Sequence, residues 1–192
     1  MYAGKKFALL MGAGLLLGSA HVTAAPTATM LADTCAGCHG TDGVSTGPAT
    51  PSLAGMSEIY MVDSMNAFKS GERSSTVMGR IAKGYTEEEF KSMATVFAKQ
   101  PVAVTSQKTD PAKVAAGEKL YGKNCEKCHD EKGVLADDDA GILYSQWLPY
   151  LLYSMEDYKA GTREMPKKMK KKVEKLSDAE LDALLNFFAS QQ

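Results

Sequence analysis

Two five-residue strings hold all four cysteines of this chain: CAGCH at residues 35–39 and CEKCH at residues 125–129. In each, two cysteines stand three positions apart and a histidine follows the second directly. On one turn of helix that spacing puts both thiols on the same side, with an imidazole next to them. Thiols so placed can add across the two vinyl groups of a haem while the histidine binds its iron, the attachment pattern of c-type haem. Other chemistries fit less well. Tetrahedral zinc needs a fourth ligand, and no further Cys or His stands near either string. A thioredoxin-like dithiol needs a βαβ setting, and no strand periodicity flanks either motif. Cys35, Cys38, Cys125 and Cys128 thus point to two covalent haems c, with His39 and His129 on the irons.

The only other histidine, His21, lies in a segment that reads as an export signal. Lys5 and Lys6 precede an apolar run from Phe7 to Leu17, small residues follow, and cleavage is expected after Ala24. The competing reading is a retained anchor. However, the stretch from Phe7 to Ala20 is interrupted by glycines and shorter than the roughly 20 apolar residues a spanning helix needs. The mature chain is therefore expected in the periplasm with no membrane span. With His21 gone, neither iron has a second histidine, so its sixth position takes methionine, another side chain or nothing.

The elements that must position these residues occur twice. The two motifs are offset by 90 residues, as are SMNAFKSGER from Ser64 and SMEDYKAGTR from Ser154; YTEEEFKSMATVFAKQ and LSDAELDALLNFFASQ are offset by 91. An internal duplication is the economical explanation. It predicts an all-α fold of two tandem domains, 25–103 and 104–192, the second beginning with a proline-punctuated linker at 104–112. Thr86 with Glu89, and Ser177 with Glu180, have the spacing of capping boxes. Each is followed by an apolar stripe: Phe90, Met93, Ala94, Phe97, and Leu181, Leu184, Leu185, Phe188. Asp110 and Pro111 are expected to open the helix leading into the second motif, and Gly117 to let a second helix approach it closely. Domains of this size have little side-chain core, so each is expected to depend on its haem to fold.

The strings CAGCHGTDG, TVMGRIAKGY, KLYGKNCEKCH, QWLPYLLYSM and DALLNFFASQQ resemble the dihaem cytochrome subunits of flavocytochrome c sulfide dehydrogenases. More distantly, each half is similar to a class I cytochrome c domain of the cytochrome c4 kind. The resemblance implies a periplasmic heterodimer. A partner flavoprotein, carrying FAD, would oxidise sulfide, and this chain would pass the electrons to a soluble acceptor such as a small cytochrome c. It also implies that the carbonyl of Pro51, in PSLAG, takes the proton of the His39 ring. The second half has Gly141 at the matching place, so the two haem environments should differ. The sixth ligand implied for the first haem is Met78, 39 residues past His39 and eight before Thr86. The matching position in the second half is Met169, 40 past His129 and eight before Ser177. Met165 fits neither spacing and is the weaker candidate.

Two further readings compete: a free-standing cytochrome c4-like electron shuttle, and a dihaem peroxidase. The peroxidase needs an iron that opens a site, commonly by shedding a histidine this chain does not have to spare. Trp147 is expected to pack over the second haem or between the domains, or else to anchor the flavoprotein. The acidic trio Asp137, Asp138 and Asp139 is expected in a solvated loop. The lysine run at 167–172 reads as a solvated helix face or, alternatively, a docking patch. Without Lys5 and Lys6, 20 of the 22 basic residues remain against 23 acidic ones, a balance that gives no sign of nucleic-acid binding.

Overall fold

The structure, a computed structural model, describes residues 25–135 and 137–191; the export signal expected at 1–24 lies outside them. The described residues form ten helices and two short 3-10 turns, with one isolated β-bridge between Asp137 and Ala140. The first half contributes α1 (Ala28–Asp33), α2 (Ala36–His39), α3 (Glu58–Ser70), α4 (Met78–Ile81) and α5 (Glu87–Phe97). The second contributes α6 (Pro111–Asn124), α7 (Asp130–Gly133), α8 (Leu148–Ala160), α9 (Lys167–Val173) and α10 (Asp178–Ala189).

Local chemistry sets the ends of the helices that carry the core. Both capping boxes form: Thr86 accepts from the Glu89 amide while the Glu89 carboxylate accepts from the Thr86 amide, and Ser177 with Glu180 repeats this. Asp110 caps α6, its carboxylate accepting from the amides of Ala112 and Lys113, with Pro111 in the first turn. The eight residues of the two apolar stripes are all buried, in α5 and α10. In the second half α10 packs against α6 at Gly117, where a Cβ would stand 2.2 Å from the Ala183 carbonyl oxygen. Only a hydrogen fits there.

The duplication is visible in the hydrogen bonds between helices. The Gly43 carbonyl accepts from Leu53 and Ala54, and the Gly133 carbonyl accepts from Leu143 and Tyr144. Likewise the Gly55 amide donates to Phe97 and the Ser145 amide to Phe188, each at 2.9 Å. Ser145 holds a left-handed backbone (φ 54°) where its counterpart is Gly55. That conformation is unfavourable for a residue with a Cβ. Here the serine hydroxyl, 1% exposed as a residue, accepts from the Thr105 amide at 2.6 Å.

That contact is one of several that hold the linker at 104–112 in place. Residues 101–110 have no regular secondary structure, but they are bonded down rather than loose. The Gln107 amide donates to the Gln146 and Ala189 carbonyls, and its side-chain oxygen accepts from the Leu148 amide. Helix α6 also starts at Pro111, inside the expected linker.

The halves are joined by a polar seam. Gln146, 2% exposed, accepts from the Ser52 amide at 2.9 Å and donates to the Ser52 carbonyl at 3.0 Å. Trp147 donates to the Ser45 carbonyl at 3.0 Å, so its ring nitrogen serves the seam. Asp138 is not merely solvated: it accepts from the Ser57 hydroxyl at 2.7 Å across the same boundary. Buried groups that leave water must find partners, and this seam supplies them.

Candidate haem sites

Each CxxCH string folds as one helical turn. The amides of Cys38 and His39 both donate to the Cys35 carbonyl, and those of Cys128 and His129 both donate to the Cys125 carbonyl. Cys38 and Cys128 are exposed, and Cys35 and Cys125 are partly buried. Burial raises the Cys35 thiol above its usual pKa. It pushes Cys125 up to about 11, although the nearby Lys172 charge acts in the opposite direction. Burial also lowers both His39 and His129, against the opposing pull of the Pro51 carbonyl on one and Asp139 on the other. Neutral imidazoles are what an iron centre requires.

A cavity of about 650 Å³, lined mainly by the first half and closed on one side by Tyr150 and Tyr153 of α8, brings together Cys35, His39, Pro51 and Met78. Cofactor sites run from about 300 to 1,000 Å³. Met61, Met65 and Phe68 of α3 line the same space, yet α3 and α4 bury no residue in the protein alone. A 13-residue helix with no buried side chain needs a further apolar partner, and the cavity is where that partner would sit. The same holds for α9 in the second half. Its Met169 and Val173 are half-buried against the core beside Cys125 and Met165. Both methionines are therefore near the second motif, and burial does not separate them.

The two histidines are held differently. His39 Nδ1 lies 2.8 Å from the Pro51 carbonyl oxygen. The His129 ring makes no hydrogen bond among the described residues; its own carbonyl accepts from the Tyr121 hydroxyl, and the ring stands edge-on to Phe188. Gly141 occupies the Pro51 position because Tyr60 of the first half lies over it. A Cβ on Gly141 would be 2.8–3.0 Å from the Tyr60 ring and hydroxyl. The missing proline is therefore a consequence of domain packing. Replacing Gly141 by alanine should cost about 1–3 kcal/mol, the usual range for overpacking. In a Tyr60→Ala background the same change should cost far less, and thermal melts of the four variants check that coupling.

Reasoning from sequence missed the groups between the sites. Arg73 stacks over Phe68 at 4.5 Å and Arg163 over Tyr158 at 4.3 Å, with Ser64 and Ser154 as matching hydrogen-bond partners. Arg163 also donates across the seam to the Tyr60 hydroxyl at 3.1 Å. Burial alone would raise the Tyr60 phenol, but Arg163 and Arg73 outweigh it and hold Tyr60 below its usual value. The repeated SM…K.G.R string carried this signal, since both arginines sit at its last position.

Residues 24–107 match the family Cytochrome c, and residues 112–188 match Cytochrome C oxidase, cbb3-type, subunit III. A cytochrome c4 of Pseudomonas aeruginosa is 32% identical over 192 residues, spanning 93% of this chain and 94% of the relative. The chain belongs to the cytochrome c4 family. As a member it carries two covalently bound haems c, one per cytochrome c domain, and transfers electrons. The fold agrees: reduced recombinant cytochrome c4 from Pseudomonas stutzeri superposes with a TM-score of 0.75 at 25% identity, covering 88% of this chain and all of that one. A cytochrome subunit of sulfide dehydrogenase from Chlorobaculum tepidum is 52% identical over 68 residues. That match covers 35% of this chain and 61% of the relative. No helix among the described residues is long and apolar enough to cross a membrane.

Proposed function

We propose that this cytochrome c4-family chain is the dihaem subunit of a periplasmic sulfide dehydrogenase. It would take electrons from the FAD of a partner flavoprotein and deliver them to a soluble acceptor. The observation that carries this reading is the 52% identity to a sulfide dehydrogenase cytochrome subunit, well above the 32% to a cytochrome c4, though over a shorter stretch. A haem held by two axial ligands supplies single-electron exchange and little else.

The chain's residues divide the remaining work. Cys35, Cys38, Cys125 and Cys128 hold the two groups covalently, which keeps each half folded around its cofactor. His39 with Met78, and His129 with Met169, would hold the two irons. The Pro51 carbonyl fixes the His39 ring through its Nδ1 proton, an outer contact that orients a ligand and raises its basicity. Among the described residues His129 has no such contact, so the two centres should differ in potential. The domains are 25–103 and 104–192, and residues 1–24 direct export.

Full-length similarity to a cytochrome c4 favours a second reading, a free-standing dihaem shuttle. Native purification separates the two. The enzyme subunit should co-purify in a stable complex with a flavin-absorbing protein, and added sulfide should reduce both haems. The isolated chain should show no sulfide oxidation. A colourless preparation beyond the haem bands, with no larger partner, supports the shuttle. Sulfide turnover by the isolated chain at the native rate sinks the relay.

A further inference from the structure

The duplicated segments on the methionine side of the two motifs have diverged in charge. In the first half, residues 77–81 read VMGRI, with Val77 47% and Ile81 40% exposed. In the second, α9 reads KKMKKKV, and all five of its lysines are exposed. Between 164 and 175 six lysines face two glutamates, whereas the rest of residues 104–192 carries 13 acidic residues against eight basic ones. The basic charge is thus concentrated on one helix of an otherwise acidic half. Among the described residues, only Lys170 of the α9 lysines has an ion-pair partner, Glu174 at 3.8 Å, and both groups are more than 60% exposed. Such a pair neutralises little.

This helix also lies at the second attachment site. Met169 and Val173 pack inward against the same core cluster that Cys125 packs against, and the Lys172 charge is felt at the Cys125 thiol. Lys172 thus lies near one of the two cysteines to which the second haem is fixed, and its neighbours on α9 extend the positive charge from there. Like charges crowded on seven residues repel one another, so folding alone gives no reason to gather them here.

We propose that α9 is a docking port through which the second haem passes electrons to an acidic redox protein. This rests on the electron-transfer role of the chain and not on the identity of its flavoprotein partner. The step moves one electron: the reduced chain is oxidised by one, the acceptor's oxidised centre is reduced by one, and no bond or proton moves. A basic patch beside an electron-exchange site steers an acidic partner into the right orientation and raises its association rate, an effect that salt removes.

The test uses the dithionite-reduced holoprotein, freed of reductant, mixed in a stopped-flow instrument with an acidic plastocyanin or a basic mitochondrial-type cytochrome c. Oxidation by plastocyanin should be faster at low salt and fall steeply as salt rises. The variant Lys168→Glu/Lys171→Glu should lose at least about ten-fold in that rate at low salt. Its rate with the basic acceptor should rise, while its haem spectrum and midpoint potentials stay those of the parent. Plastocyanin rates that are equal in parent and variant overturn the port. So does binding of the parent to anionic phospholipid vesicles that competes with plastocyanin, because α9 would then be a lipid contact. Failure to reduce either acceptor would instead strike at the electron-transfer role itself.

Discussion

Met169→Ala is expected to remove about half of the long-wavelength sulfur-to-iron charge-transfer absorption and to lower the potential of one haem. Met165→Ala should leave both close to the parent. The reasoning joins spacing to packing. Met78 opens α4 and lines the cavity that also holds Cys35 and His39. Met169 stands the same eight residues ahead of its capping box as Met78 does, and it lies within α9, half-buried, while the lysines around it point to water. Met165 precedes Pro166, the residue that caps α9, and so lies outside the helix. Thioether ligation raises haem potential, and axial ligation spans roughly 0.8 V. Losing the sulfur should therefore shift the second haem by a sizeable part of that range. Near-infrared spectra and a redox titration of both variants decide the matter. If the Met165 variant loses the band and the Met169 variant keeps it, the two halves are misaligned by one helical turn.

The second large effect concerns loading. In Cys125→Ala/Cys128→Ala the chain should carry one haem instead of two, and the second half should lose its cooperative melting while the first keeps its own. The helices will not fail equally. Helices α6 and α10 bury Tyr121, Leu181, Leu184, Phe187 and Phe188 among themselves, with Tyr121 and Phe187 rings 5.1 Å apart. Helix α9 buries nothing fully and should unfold first. Domains of about 80 residues have small cores, so one missing apolar partner is a large fraction of what holds them. Haem absorbance per chain and far-ultraviolet dichroism on heating provide the readout. Unchanged helical signal and an unchanged second transition would show that the protein core suffices.

The sequence by itself determined what depends on short spacing. The two CxxCH turns, the 90-residue duplication, both capping boxes, the Asp110–Pro111 start of α6 and the two buried stripes could all be read in advance. Each is specified within one or two helical turns, where a residue's partner is fixed by the i, i+3 and i+4 geometry of the chain itself. Pro51 beside His39 was implied by resemblance, and the structure places that carbonyl 2.8 Å from the ring nitrogen.

Only the tertiary structure decided how one half treats the other. Gly141 looked like a lost proline, yet the space its missing side chain leaves is taken by Tyr60, 81 positions away. Residues 104–112 read as a linker, and in the fold Thr105 and Gln107 of that linker are bonded to Ser145, Gln146 and Leu148. Gln146, on which the sequence carries no signal, is enclosed and doubly bonded to Ser52. Polar residues announce nothing about burial in a sequence, because the cost of enclosing them depends on whether a distant partner is there to bond them. That partner is brought in only when the two halves dock.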